Sequence, residues 1–151
     1  MQLTQKESSF VKDLKSQEKL CVDKYTAYAS DAADPQLKSL FTEIASVEQG
    51  HFDTLTQIEN GQTPSASSGG GQSTQKTFTQ YHNGDSAEKK KDAYLCSDLL
   101  ATEKHVSHLY DTSVFEFTEA PLRNTLNHIQ TEEQGHGKMI YDYMKANNMY
   151  S

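Results

Sequence analysis

The chain predicts an all-α fold: one four-helix bundle made of two duplicated helical hairpins joined by a long crossover linker. Three observations predict it. The run Glu-Gln-Gly-His occurs twice, at 48–51 and 133–136, and each copy follows another glutamate, Glu18 or Glu103, by 30 residues. A shift of 85 residues lays 13–51 on 98–136 without a gap, with 11 of 39 positions identical, among them Leu14/Leu99, Tyr25/Tyr110, Leu37/Leu122 and Ile44/Ile129. Four segments carry apolar residues at steps of three and four, the spacing of one helix face.

The first of these segments shows Phe10, Leu14, Glu18, Cys21, Tyr25, Tyr28 and Ala32 on one face. Asp34-Pro35 then closes one helix and opens the next, since aspartate caps a helix start and proline suits its first turn. The second stripe is Leu37, Leu40/Phe41, Ile44, Glu48, His51/Phe52, Leu55 and Ile58, stopped at Asn60-Gly61. Residues 61–84 have no apolar period and are rich in Gly, Ser and Thr, which predicts a flexible link. The third stripe is Leu95, Leu99, Glu103, Val106, Tyr110, Val114 and Phe117. Glu119-Ala120-Pro121 repeats the first turn, and the fourth stripe is Leu122, Leu126, Ile129, Glu133, His136, Ile140 and Tyr143. The single domain 1–151 thus divides into a hairpin over 4–60, a linker over 61–84 and a hairpin over 85–147.

Glu18, Glu48, His51, Glu103, Glu133 and His136 all fall on the apolar stripes. In order they read Glu, Glu-x-x-His, Glu, Glu-x-x-His, the ligand set of a two-metal site in a four-helix bundle. Glu18 lies 16 residues before its turn, and Glu48 and His51 lie 14 and 17 after it; the second hairpin repeats these offsets. At 1.5 Å per residue all six sit at one level, about 21–26 Å from the turns. A buried unpaired carboxylate costs several kcal/mol, so four in one core require positive charge. Two divalent cations balance four carboxylates when both histidines are neutral. Oxygen-rich sites with two imidazoles suit Fe(II) or Mn(II).

Net charge is −7 with no basic stripe, which argues against nucleic acid. No apolar run reaches membrane length, and the N-terminus shows no secretion signal, so a protein made inside the cell is expected. Cys21 and Cys96 form no Cys-x-x-Cys pair and read as free thiols in a reducing compartment, with a single disulfide as the alternative, and Cys21 as a small apolar filler. His82, His105, His108 and His128 lie in the linker or off the stripes and read as surface residues.

With these motifs the chain resembles the ferritin-like superfamily, in particular bacterioferritins and rubrerythrins, over both hairpins. The resemblance implies that Glu18 and Glu103 are terminal carboxylates, that Glu48 and Glu133 bridge two metals, and that His51 and His136 each cap one. It implies that Tyr25 and Tyr110 donate hydrogen bonds to ligand carboxylates, and that Glu132 orients His51 while Val47 cannot serve His136 in the same way. Val106 stands where rubrerythrins carry a further glutamate, and their four-cysteine iron domain has no counterpart here. The wording of the first hairpin, DLKSQEKLCVDKY…DPQLKSLFTEIASVEQGHFDTL, resembles the coat F family of spore coat proteins.

Together the resemblances imply a dinuclear iron or manganese protein, cytoplasmic or spore-coat associated, that meets oxygen or peroxide as an oxidase, peroxidase or catalase-like oxidoreductase. The alternative is a structural spore coat protein whose bundle binds metal without turnover. The partners implied are metal ions, oxygen or peroxide, and further copies of the chain or other coat proteins.

Overall fold

The computed structural model describes residues 2–64 and 76–150; positions 65–75, within the expected linker, lie outside them. Four helices account for the regular structure of the described residues: α1 (Gln5–Asp31), α2 (Pro35–Glu59), α3 (Ala87–Val114) and α4 (Ala120–Ala146). Their ends follow local chemistry. Thr4 and Glu7 form a reciprocal capping box on α1. Asp34 accepts from the Gln36 N–H with Pro35 behind it, as the Asp-Pro pair predicts. Ser86 accepts from the Lys89 N–H and starts α3. Gly61 turns the chain out of α2 with φ 82°, a backbone region that favours glycine.

α1 packs along α2 and α3 along α4, with further α1–α3 and α2–α4 contacts between the hairpins. The directions follow from who meets whom. Asp92, early in α3, accepts from the Ala33 and Asp34 N–H groups in the α1–α2 turn. Thr118, before α4, donates to Glu7 at the start of α1. α1 and α4 therefore run one way, and α2 and α3 run the other. The end of α2 and the start of α3 therefore lie at opposite ends of the bundle. The described end of the link between them, 76–84, lies against α2 and α4: Lys76 pairs with Glu43 at 2.7 Å and Phe78 stacks edge-on to Tyr143.

The core is the set of apolar stripes expected from sequence, with Phe10, Tyr28, Phe52 and Val114 only half-buried. On α1 the buried positions are Glu7, Val11 and Leu14, while Phe10 is only half-buried. On α3 Ser113 is buried, its hydroxyl bonded to the Leu109 carbonyl, and Val114 lies half out. In both cases the helix face drifts by one residue near its end, where fewer neighbours dictate its rotation.

Candidate metal centre

Helical spacing places Glu18 and Glu103 on α1 and α3, and the two Glu-x-x-His pairs on α2 and α4, three residues apart on one face. All six side chains converge at mid-bundle and are buried, none exposed by more than 4%. They form two sets of four whose ligand atoms lie within 4.8 Å of one another: Glu18, Glu48, His51 and Glu133, and Glu48, Glu103, Glu133 and His136. Glu48 and Glu133 belong to both sets. Each histidine belongs to one, and the two imidazoles stand 6.2 Å apart, near-parallel.

Both rings turn Nδ1 inward. His51 Nδ1 is 3.0 Å from Glu48 and Glu133 and 3.4 Å from Glu18. His136 Nδ1 is 3.3 Å from Glu103 and 3.6 Å from Glu48 and Glu133. The outward His51 Nε2 meets Glu132 Oε1 at 2.8 Å. Among the described residues no side chain stands to His136 Nε2 as Glu132 does to His51; Val47 is half-buried beside the His51 ring.

The tyrosines bond across the hairpins. Tyr25 on α1 donates to Glu103 Oε2 at 2.5 Å, and Tyr110 on α3 donates to Glu18 Oε1 at 2.7 Å. Burial and the neighbouring carboxylates push both phenols well above their ordinary range, so they remain donors.

A set of inward-facing atoms remains without hydrogen-bond partners: both oxygens of Glu48 and of Glu133, Oε2 of Glu18, Oε1 of Glu103, and Nδ1 of both histidines. Buried polar atoms are ordinarily satisfied. Eight orphans aimed at one volume, all oxygen or imidazole nitrogen, fit a pair of hard or borderline divalent cations. Without cations, protons carry the balance. Burial raises Glu18 to about 7 against the pull of His51. Burial and the facing carboxylates Glu103, Glu18 and Glu48 raise Glu133 well above the carboxylate range. Glu48 is held at about 2: burial opposes this, but the closeness of Glu133 and His51 and the charges of both imidazoles prevail. Burial disfavours a charged His51, yet Glu132, Glu133, Glu18 and Glu48 together push it well above 6.5. Cys21, buried beside these carboxylates, has its thiol pushed far up by burial and their charge, which suits a filler rather than a thiolate ligand.

Among the described residues, grooves on two sides reach the cluster. One of about 330 Å³ between α2 and α4 is lined by Val47, His51, Asn124, His128 and Glu132 among others. Another of about 380 Å³ between α3 and α4 has Glu103 and Glu133 in its wall.

The histidines expected at the surface divide. His105 and His108 are exposed, whereas His128 is half-buried on the first groove, 3.4 Å from Glu132. His82 is the correction: it is 5% exposed and bonded to Asp92 at 2.8 Å. Around it lies a buried polar network that the sequence reading missed. Asp92 holds the α1–α2 turn, Tyr143 donates to Asp34 at 2.6 Å, and Asn147 accepts from the Tyr81 and His82 N–H groups. The third stripe carried a signal for it, since Asp92 lies one turn before Leu95 and Cys96 on the same face.

The described helices include none long and apolar enough to cross a membrane. No curated protein and no solved structure matches the chain. The Coat F domain family model matches residues 91–151, nearly all of α3 and the whole of α4, so the coat F likeness read in the wording of the first hairpin is supported on the second.

Proposed function

We propose that this chain is a spore coat type protein with a ferritin-like duplicated bundle, whose core is pinned by two divalent cations, iron or manganese. The Coat F match supports the coat assignment. The observation that carries the metal reading is the convergence of eight buried, partnerless oxygen and nitrogen atoms from Glu18, Glu48, His51, Glu103, Glu133 and His136. In this reading Glu18, Glu48, His51 and Glu133 would hold one ion, and Glu48, Glu103, Glu133 and His136 would hold the other. Tyr25 and Tyr110 fix the terminal carboxylates, and Glu132 fixes His51 with Nδ1 inward. Binding of cations there would displace the protons that burial holds on Glu18 and Glu133. When bound, such a pair supplies Lewis acidity and, for iron or manganese, redox capacity.

Turnover with oxygen or peroxide is the second reading, and the groove that brings Glu103 and Glu133 to its wall favours it. Metal analysis of protein purified without chelators tests the first reading, with about two ions per chain expected. Failure to bind Fe(II), Mn(II) or Co(II) on reconstitution would overturn it. Repeated oxidation of added Fe(II) in air, or oxygen release from peroxide by the manganese form, would establish the second.

A further inference from the structure

The 85-residue repeat pairs each groove residue of one hairpin with a counterpart in the other, and two pairs differ sharply, Lys15 against Leu100 and Phe52 against Gly137. Phe52 follows His51, whereas Gly137 follows His136. The α3–α4 groove is lined by Leu100, Lys104 and Gly137 and has Glu103 and Glu133 in its wall. The counterpart α1–α2 groove is lined by Lys15, Lys19 and Phe52, and none of the six cluster residues reaches it. Phe52 is half-buried there, with the Lys15 ammonium 5.0 Å from its ring centre and Lys15 held to Glu59 at 2.8 Å. The α2–α4 groove meets His51, whose outward Nε2 is occupied by Glu132.

We propose that the α3–α4 groove at Gly137 is the entry by which small metal ligands, of the size of peroxide or azide, reach the centre, and that Phe52 closes the equivalent route through α1–α2. This rests on the metal reading above. The glycine matters for the space beside it. A Cβ at Gly137 would meet Leu100 Cδ1 at 3.6 Å, an ordinary contact, so alanine fits and a large side chain would fill the groove. Its backbone needs no glycine, since Gly137 has no positive φ and glycine inside a helix is otherwise a cost.

The test uses Co(II) as the bound metal and azide as the probe, read in the visible spectrum. The unaltered protein and Gly137→Ala should take up Co(II) and show a saturable azide-induced shift. Gly137→Phe should take up Co(II) to the same stoichiometry and lose the shift on the timescale in which the unaltered protein completes it. Adding Phe52→Ala to Gly137→Phe should restore it from the other face. If Gly137→Phe loses its helical circular dichroism, Gly137→Leu takes its place. An azide response that is unchanged by filling the groove would overturn the entry while leaving the metal site standing. Absence of Co(II) uptake by the unaltered protein would overturn the metal reading itself, and the entry with it.

Discussion

At the scale of single residues, the candidate centre depends on side chains that would not themselves touch a metal. Tyr25 follows Glu18 on α1 yet bonds Glu103, and Tyr110 follows Glu103 on α3 yet bonds Glu18. Each hairpin therefore orients the first glutamate of the other, Glu103 or Glu18, and neither position is set without both halves. The histidines are not equivalent in this respect. Glu132 bonds the outward nitrogen of His51, and the repeat places Val47 where His136 would need the same partner. A second nitrogen so held fixes the tautomer and ring direction of a ligand histidine, and loss of such partners costs ~10–100-fold in metal affinity. Glu132→Ala is expected to weaken the ion on the His51 side by about tenfold or more, read by competition with a chromophoric chelator. Val47→Ala should leave both affinities as they are. Equal affinities in the Glu132 variant and the unaltered protein would show that its bond to His51 does not serve the metal.

At the scale of the helices, two carboxylates do work that the apolar stripes cannot. Glu7 takes the Thr4 N–H at 2.8 Å as the capping box of α1 and the Thr118 N–H at 3.2 Å from the turn before α4. One side chain thus closes the start of α1 and ties it to the turn between α3 and α4. Burial works against its charge, but these backbone donors prevail and hold Glu7 below its ordinary pKa. A depressed folded-state pKa contributes stability above the unfolded value of about 4.3, lost as pH falls through the lower folded value. Glu7→Gln should therefore melt lower at neutral pH, with the difference narrowing as the pH drops below about 4. A constant gap across that range would show that the charge of Glu7 contributes nothing.

The capping box could be read from Thr-x-x-Glu, but its bond to Thr118 could not. The partner lies 111 residues away in an irregular turn. The same division explains Asp92 and His82. Asp92 sits on the third stripe, which reads as starting at Leu95 when only apolar residues are counted, and His82 comes from a segment without period. Periodicity and repetition report what regular helices place together. They are silent on where a connecting segment lays its side chains.

The whole molecule shows how far that legibility reaches. Four helices, the Asp34-Pro35 turn and the common level of six polar side chains all follow from spacing, because a helix converts sequence distance into height at a fixed rate. The shared position of Glu48 and Glu133 between two ligand sets follows from packing α2 against α4. The difference between the two side grooves needed the structure, since Phe52 and Gly137 gain meaning only once each is set against its wall.

One consequence belongs to the bundle as a unit. Its middle layer is four carboxylates and two imidazoles, with apolar residues above and below. Protons on Glu18 and Glu133 neutralise that layer only in part and leave orphaned acceptors in the core. Cations that bind only the folded chain add stability by mass action, about 2.7 kcal/mol when free metal is 100 times its dissociation constant. The melting temperature at neutral pH should therefore fall on chelation and return on adding Mn(II) or Fe(II) under anaerobic conditions. In a Glu48→Gln, Glu133→Gln double variant, which keeps the volume of both bridging side chains but removes their charge, chelator and metal should leave the melting temperature unmoved. Chelated and loaded forms of the unaltered chain melting together would mean that the layer holds no cations, and that protons alone carry its charge.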